Sequence, residues 1–231
     1  MSKLRIAETF YSIQGEGTLI GTPSYFIRVS GCNLRCVWCD TPYASWHPEG
    51  PIQTLDEILG EVDRVAPTHV VLTGGEPMLF DAVGELCEGL KGRGIHITIE
   101  TAGTIDRNWP IDLLSVSPKM RNSTPTGDAW ELRHEQTRLD RGPLKRLIGK
   151  YPVQIKFVIA FESMEEDLRE IEELLLDLPP VKPEQILLMP EGTDAERILV
   201  GMRALVPISL EKKWRISPRL HVELFGNTKG T

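Results

Sequence analysis

Apolar residues come in short runs: SYFIRVS at 24–30, HVVLT at 69–73, IHITIE at 95–100, LLSVS at 113–117, VQIKFVI at 153–159 and QILLMP at 185–190. Runs this short, rich in Val, Ile and Phe, are the pattern of strands buried on both faces. Between several of them the apolar positions change to helical spacing. Thr54 and Glu57 open TLDEILGEVDRVA as a capping box, and Ser163 with Glu166 predicts the same start for SMEEDLREIEELLLDL. In the second segment Met164, Leu168, Ile171, Leu175 and Leu178 recur on one face, which assigns them to core packing. Strand and helix in alternation predict parallel strands joined by crossover helices, an α/β fold. About six such strands are visible, fewer than the eight of a closed barrel, so a partial (split) β/α barrel is expected, with an open doubly wound sheet as the alternative.

Two regions break the alternation. Residues 121–149 begin with turn formers and continue as a charged, helix-compatible stretch, which reads as an irregular insertion or lid, or as a solvated connector. The tail RLHVELFG (219–226) predicts an extra terminal strand, with NTKGT as a loose end. Nothing repeats, and no linker divides the chain, so residues 1–231 are expected to form a single domain.

Charge narrows the partners. Lys and Arg number 26 against 33 Asp and Glu, a net charge of −7, which gives no electrostatic case for nucleic acid or membrane binding. No stretch approaches the ~18 apolar residues that cross a bilayer, and MSKLRIAETFYS does not read as a leader. A cytoplasmic protein is expected. In that reducing setting a cysteine cluster points to metal or chemistry rather than to disulfides.

The polar motifs all follow strands: GCNLRCVWCDT (31–41) the first, TGGEP (73–77) the second, ETAGT (100–104) the third and SPK (117–119) the fourth. Loops at the carboxyl ends of parallel strands converge on one face, so these four are expected to build one site. Three of the four cysteines, Cys32, Cys36 and Cys39, lie in the first loop. A zinc site would need a fourth ligand, with His47 or Cys87 as candidates. Cys87, between Leu86 and Leu90 on a helical segment, reads instead as a small core hydrophobe. The alternative is an iron-sulfur cube, on which three thiolates leave one iron open.

The spacing Cys32-x3-Cys36-x2-Cys39, with Trp38 before the last cysteine, resembles the radical S-adenosylmethionine superfamily, and TGGEP resembles that superfamily's glycine-rich loop. The longer text FYSIQGEGTLIGTPSYFIRVSGCNLRCVWCDT is similar to the 7-carboxy-7-deazaguanine synthase family of queuosine and 7-deazapurine biosynthesis. The likeness is dense over 8–41, recurs at 70–77, 100–104, 117–119 and 154–158, and is weak over 121–150.

The resemblance implies a carbon-nitrogen lyase. Its cofactors are a 4Fe-4S cluster on Cys32, Cys36 and Cys39, and S-adenosylmethionine, which yields a 5'-deoxyadenosyl radical. Gly74 and Gly75 are expected to let the cofactor's methionine end approach the backbone, with Trp38 near its adenine and Ser117 and Lys119 at its polar end. Gln154 and Lys156 either face the cofactor or are buried in their strand. The implied substrate is 6-carboxy-5,6,7,8-tetrahydropterin, which contracts its ring and loses ammonia. Ile13, Gln14, Gly15 and Thr73 are expected to meet it, Arg28 to pair with its carboxylate, and Glu100 to be the catalytic residue. Glu16 is a residue of the site or of its loop, and His221 lines the pocket from the far side or is structural. By residue type Asp40 is the better magnesium ligand, but the resemblance gives Mg2+ to Thr41 and leaves Asp40 beside the cofactor as a carboxylate bracing the loop. A homodimer and an electron donor such as flavodoxin or ferredoxin are also implied. Competing readings are an activase of a glycyl-radical enzyme, against which QGEG and FIR speak, and a zinc-binding module.

Overall fold

The computed structural model describes residues 2–231. The six expected strands form where the apolar runs lie: β2 (Pro23–Val29), β4 (His69–Gly74), β5 (His96–Thr101), β6 (Leu113–Val116), β7 (Val153–Ile159) and β8 (Ile186–Pro190). All six are parallel, each paired to the next. Every residue of β7 and β8 is buried, as unbroken apolar runs require.

The amino-terminal hairpin was not anticipated. An eleven-residue strand β1 (Lys3–Ile13) pairs antiparallel with β2, and a short β3 (Ile52–Thr54) pairs antiparallel with β1. A β-bulge hides β1 from pattern reading: Ile6 faces Val29 across the ladder, and Glu8, two residues on, faces Arg28. Leu4 and Ile6 pack with Ile58, Val62 and Val83 on the helix side, whereas Phe10 stacks on Phe26 at 4.8 Å on the opposite face. Even-numbered residues therefore change faces at Ala7, and the period of two is lost.

The carboxyl-terminal expectation is corrected. Segment 219–226 is a short helix, α7 (Leu220–Phe225), and the sheet ends instead at a two-residue strand, β9 (Arg215–Ile216), parallel to β8. Pro218 has no N–H with which to continue the ladder. Past it the chain turns inward, with Val222 N–H donating to Arg219 O and Gly226 N–H to Val222 O. The nine strands lie in the order β3-β1-β2-β4-β5-β6-β7-β8-β9. The edges β3 and β9 do not meet, so the barrel is split.

Helices α1 (Leu55–Val65), α2 (Asp81–Lys91), α5 (Met164–Asp177) and α6 (Ala195–Lys212) are the crossovers. Thr54 caps α1 with the full reciprocal box to Glu57. At α5 no such box forms: Ser163 sits at φ −123°, ψ 22° instead of the extended backbone of an N-cap, and its hydroxyl donates to Asp167, 3.2 Å away. The apolar face read for α5 does pack on the core, through Ile171 and Leu178 with Met164, Leu168 and Leu175 at its margin. Residues 121–149 are more regular than an insertion. After a 3-10 turn (Arg121–Ser123) they form α3 (Glu131–Leu139) and the start of α4 (Arg141–Lys150), the crossover from β6 to β7, anchored by buried Leu144 and Leu147. Among the described residues no helix is long and apolar enough to cross a membrane.

Candidate active site

The four polar loops meet as strand direction requires. Above the carboxyl ends of β2, β4, β5 and β6 lies a cleft of about 1190 Å3, its open mouth included. Its walls include Cys32, Cys36 and Cys39 from the first loop, Thr73, Gly74 and Gly75 from the second, Glu100 from the third, and Ser117 and Lys119 from the fourth. Ile13, Gln14, Gly15 and Glu16 reach it from the end of β1, and Phe10, Phe26, Val158 and Met189 give it apolar walls.

The cysteines suit a cluster by burial and by partners. Cys36 is buried, and burial pushes Cys32 up to about 12 and Cys36 up to about 11, so without a cation beside them these thiols keep their protons. Donors are nevertheless aimed at sulfur: Leu34 N–H lies 3.4 Å from Cys32 Sγ, and Ser45 Oγ lies 3.1 Å from Cys39 Sγ. Such donors suit thiolate bound to iron. Among the described residues no three His, Cys, Asp or Glu side chains crowd around one ion position. A cube, which gives each thiolate its own iron, needs no such crowding. Cys87 is wholly buried in the core, and His47 is exposed outside the cleft.

Gly74 and Gly75 are needed, but by the protein's own backbone. A Cβ on Gly74, which sits at φ +121°, would lie 2.1 Å from Val29 O; one on Gly75 would lie 2.1 Å from Gly31 O and 2.6 Å from Ala44 O. The loop is thus pressed against the cysteine loop, with Gly75 N–H donating to Val29 O and Glu76 N–H to Gly31 O. Glu76 was missed by sequence reasoning. Pro77 keeps it extended, and its fully buried carboxylate accepts from Thr101 Oγ1 (2.8 Å), Ala102 N–H (2.8 Å) and Met78 N–H (3.0 Å), tying the second loop to the third. Burial nonetheless pushes its pKa up.

On the wall made by the fourth loop, Lys119 Nζ donates to Ser117 Oγ at 3.0 Å and stands 5.2 Å from the Trp38 ring centroid. Trp38 Nε1–H is held by Asn122 at 3.2 Å. On the third loop, Glu100 accepts from Thr73 Oγ1 at 2.8 Å and from Gln14 Nε2 at 3.3 Å. Arg28 donates through Nε to Glu8 at 2.7 Å and lines the cleft. Thr41 lies on the wall with its hydroxyl 3.9 Å from Cys39 Sγ and caps no turn.

One buried ion network joins three parts of the chain. Glu16 is paired with Lys156 and, at 3.0 Å, with Arg219; Arg219 also holds Asp40 and Gly192 O. Burial opposes the charge of Glu16, but Lys156 and Arg219 hold its carboxyl well below the usual carboxylate range. Burial likewise works against Lys156, and Glu16 more than offsets it, so its pKa is raised. Arg219 was not anticipated; as the first residue of a segment read as a strand it gave no signal. Gln154 is corrected: its carbonyl accepts from Thr18 N–H at 2.7 Å and its amide donates to Ser115 Oγ at 2.8 Å, so it braces the Gly17 turn behind the cleft and does not line it. His221 does line the cleft, from α7, with Leu220 N–H bonded to Gly15 O at 2.9 Å; burial lowers its pKa.

The crossover 121–150 supports the cysteine loop from behind. His134 is fully buried, accepting Arg35 N–H on Nδ1 at 3.1 Å. The Ser123 hydroxyl is spent on Met120 O at 2.6 Å, so His134 Nε2, 3.0 Å away, carries the proton and donates to Ser123 Oγ. Burial lowers the pKa of His134 to about 4.

Residues 26–119 match the Radical SAM superfamily. Along nearly its whole length the chain is 43% identical to a 7-carboxy-7-deazaguanine synthase of Halobacterium salinarum, covering 99% of this chain and 93% of that one. It is 44% identical to a synthase of the same name from Rhodopirellula baltica, covering 100% and 90%. A crystal structure of QueE from Escherichia coli superposes with a TM-score of 0.72 at 27% identity, covering 95% of both chains.

Proposed function

This chain belongs to the 7-carboxy-7-deazaguanine synthases, radical SAM lyases, and from that premise we propose how the cleft is divided. A cofactor end is built on Cys32, Cys36 and Cys39 with Trp38, Ser117 and Lys119, and a substrate end on Gln14, Arg28, Thr73 and Glu100. The observation that carries the division is that these residues, scattered over more than a hundred positions, line a single cleft that holds all three cysteines and a free arginine fork.

The proposed substrate is 6-carboxy-5,6,7,8-tetrahydropterin, the product 7-carboxy-7-deazaguanine, and ammonia the leaving group. When bound, the 4Fe-4S cluster on Cys32, Cys36 and Cys39 and S-adenosylmethionine would supply the radical chemistry that activates substrate C6. The chain supplies position and shelter. Arg28 takes the substrate carboxylate on its outer guanidinium nitrogens. Glu100, held on one oxygen by Thr73 and on the other by Gln14, offers its remaining lone pairs to the pterin's N–H edge. The stacked Phe10 and Phe26, with Val158 and Met189, keep water from the reacting carbon. Asp40 is held by Arg219, which favours Thr41 as the protein oxygen for Mg2+, with substrate and water completing the shell. A homodimer and a small electron carrier such as flavodoxin or ferredoxin complete the reading.

The test is an anaerobic assay of the reconstituted protein with S-adenosylmethionine, reductant, Mg2+ and the carboxytetrahydropterin. Formation of the deazapurine with S-adenosylmethionine recovered is expected. Cleavage of the cofactor without a deazapurine product would sink this substrate.

A further inference from the structure

We infer that Glu8 is a positioning residue that aims Arg28 into the cleft, and that the bulge at Ala7 is the device that brings the two together. The inference rests on the proposed role of Arg28 toward a substrate carboxylate.

Arg28 stands on the cleft face of β2, directly across the ladder from Glu8. Had β1 run without its bulge, the pairing of Ile6 with Val29 would set Ala7 opposite Arg28, and Glu8 would point toward the helices. The extra residue turns Glu8 to the cleft face while leaving Leu4 and Ile6 in the core. Glu8 Oε1 then takes Arg28 Nε at 2.7 Å and the Tyr43 hydroxyl at 2.6 Å, and Oε2 takes Gly230 N–H at 3.1 Å. Its carboxylate is fixed from three sides, while Glu8 itself is not part of the cleft wall. Among the described residues neither outer nitrogen of Arg28 has a partner, so the side of the guanidinium that would grip a carboxylate is the free one. The Phe10 ring, 5.8 Å from the guanidinium carbon, limits its swing. An arginine released by Glu8 would keep only that ring beside it, and its fork would lose its aim at the substrate.

The experiment compares binding of 6-carboxytetrahydropterin and 6-methyltetrahydropterin to the anaerobic, cluster-loaded protein with S-adenosylmethionine and Mg2+ but no reductant, so that nothing turns over. Wild type should prefer the carboxylated pterin. Glu8→Ala should weaken that ligand by roughly tenfold, the loss of a charge-assisted hydrogen bond, with the methyl pterin and the iron content unchanged. Glu8→Gln, which keeps an oxygen for Nε, should restore most of the preference. Tyr43→Phe, a milder change that removes only one holder of Glu8, should shift preference the same way. Tighter or unaltered binding of the carboxylated pterin to Glu8→Ala would overturn the inference, as would equal weakening of both pterins. A wild type without preference overturns the proposed substrate, and the inference with it.

Discussion

Cys39 faces the cleft with Ser45 Oγ 3.1 Å from its sulfur, whereas Cys87 is wholly buried among Val83, Leu86 and Leu90. Cys39→Ala should therefore abolish retention of iron after reconstitution, while Cys87→Ala should keep the iron and lose about 1 kcal/mol of stability as a small cavity; iron analysis and thermal melts decide both. Gly75→Ala should be as damaging as a ligand change, because its Cβ meets two carbonyl oxygens that belong to the loop it supports; normal iron content in that variant would refute the reading. Buried histidines set an acid limit. His69, bonded to Ser24 and Thr98, and His134 both have pKa values lowered to about 4 by burial. Their folded pKa lies below the unfolded one, so the folded state binds fewer protons. The stability they permit is complete above about pH 6.5 and drains away as pH falls toward 4, on the order of 2 kcal/mol each at pH 5. Melting curves at pH 7 and pH 5 test this, and His134→Gln should shrink the difference. The cleft residues carried by motifs were readable in the sequence because the chemistry there depends on residue type. Glu76, Arg219 and His134 were not, since each is defined by a partner far along the chain.

Among the elements, strands buried on both faces were readable because nothing but apolar content is asked of them. β1 failed for the opposite reason: it has one face toward helices and one toward the cleft, and its bulge exchanges them midway. α7 failed because a mixed eight-residue stretch fits either period, and Pro218 with the pull of Arg219 decided it. Caps show that a sequence signature works only on the right backbone: Thr54 is extended and Ser163 is not. Thr54→Ala should cost about 1 kcal/mol, as loss of a working N-cap does. Ser163→Ala, at a matching signature where no cap forms, should cost less. Paired thermal melts check the contrast, and an equal loss would contradict it.

For the molecule as a whole, Arg219 is the fastener. It joins Glu16 near the hairpin end, Asp40 beside the cysteines and the carbonyl after β8. Replacing it leaves Glu16 with one cation and Asp40 with none in the network, so Arg219→Met should lower stability by about 3 kcal/mol. Weaker retention of the carboxyl-terminal segment should follow, seen as earlier cleavage near β9 in limited proteolysis. Arg219→Lys should recover part of both. The architecture was foreseeable because alternation of strands and helices has few solutions; how its open side is fastened was not. That fastening also sets an order of manufacture. The three thiols and the strands that carry them precede Arg219 and His221 in the chain, so translation delivers them first. Until those two residues arrive, the growing chain lacks the part of the cleft wall that they supply.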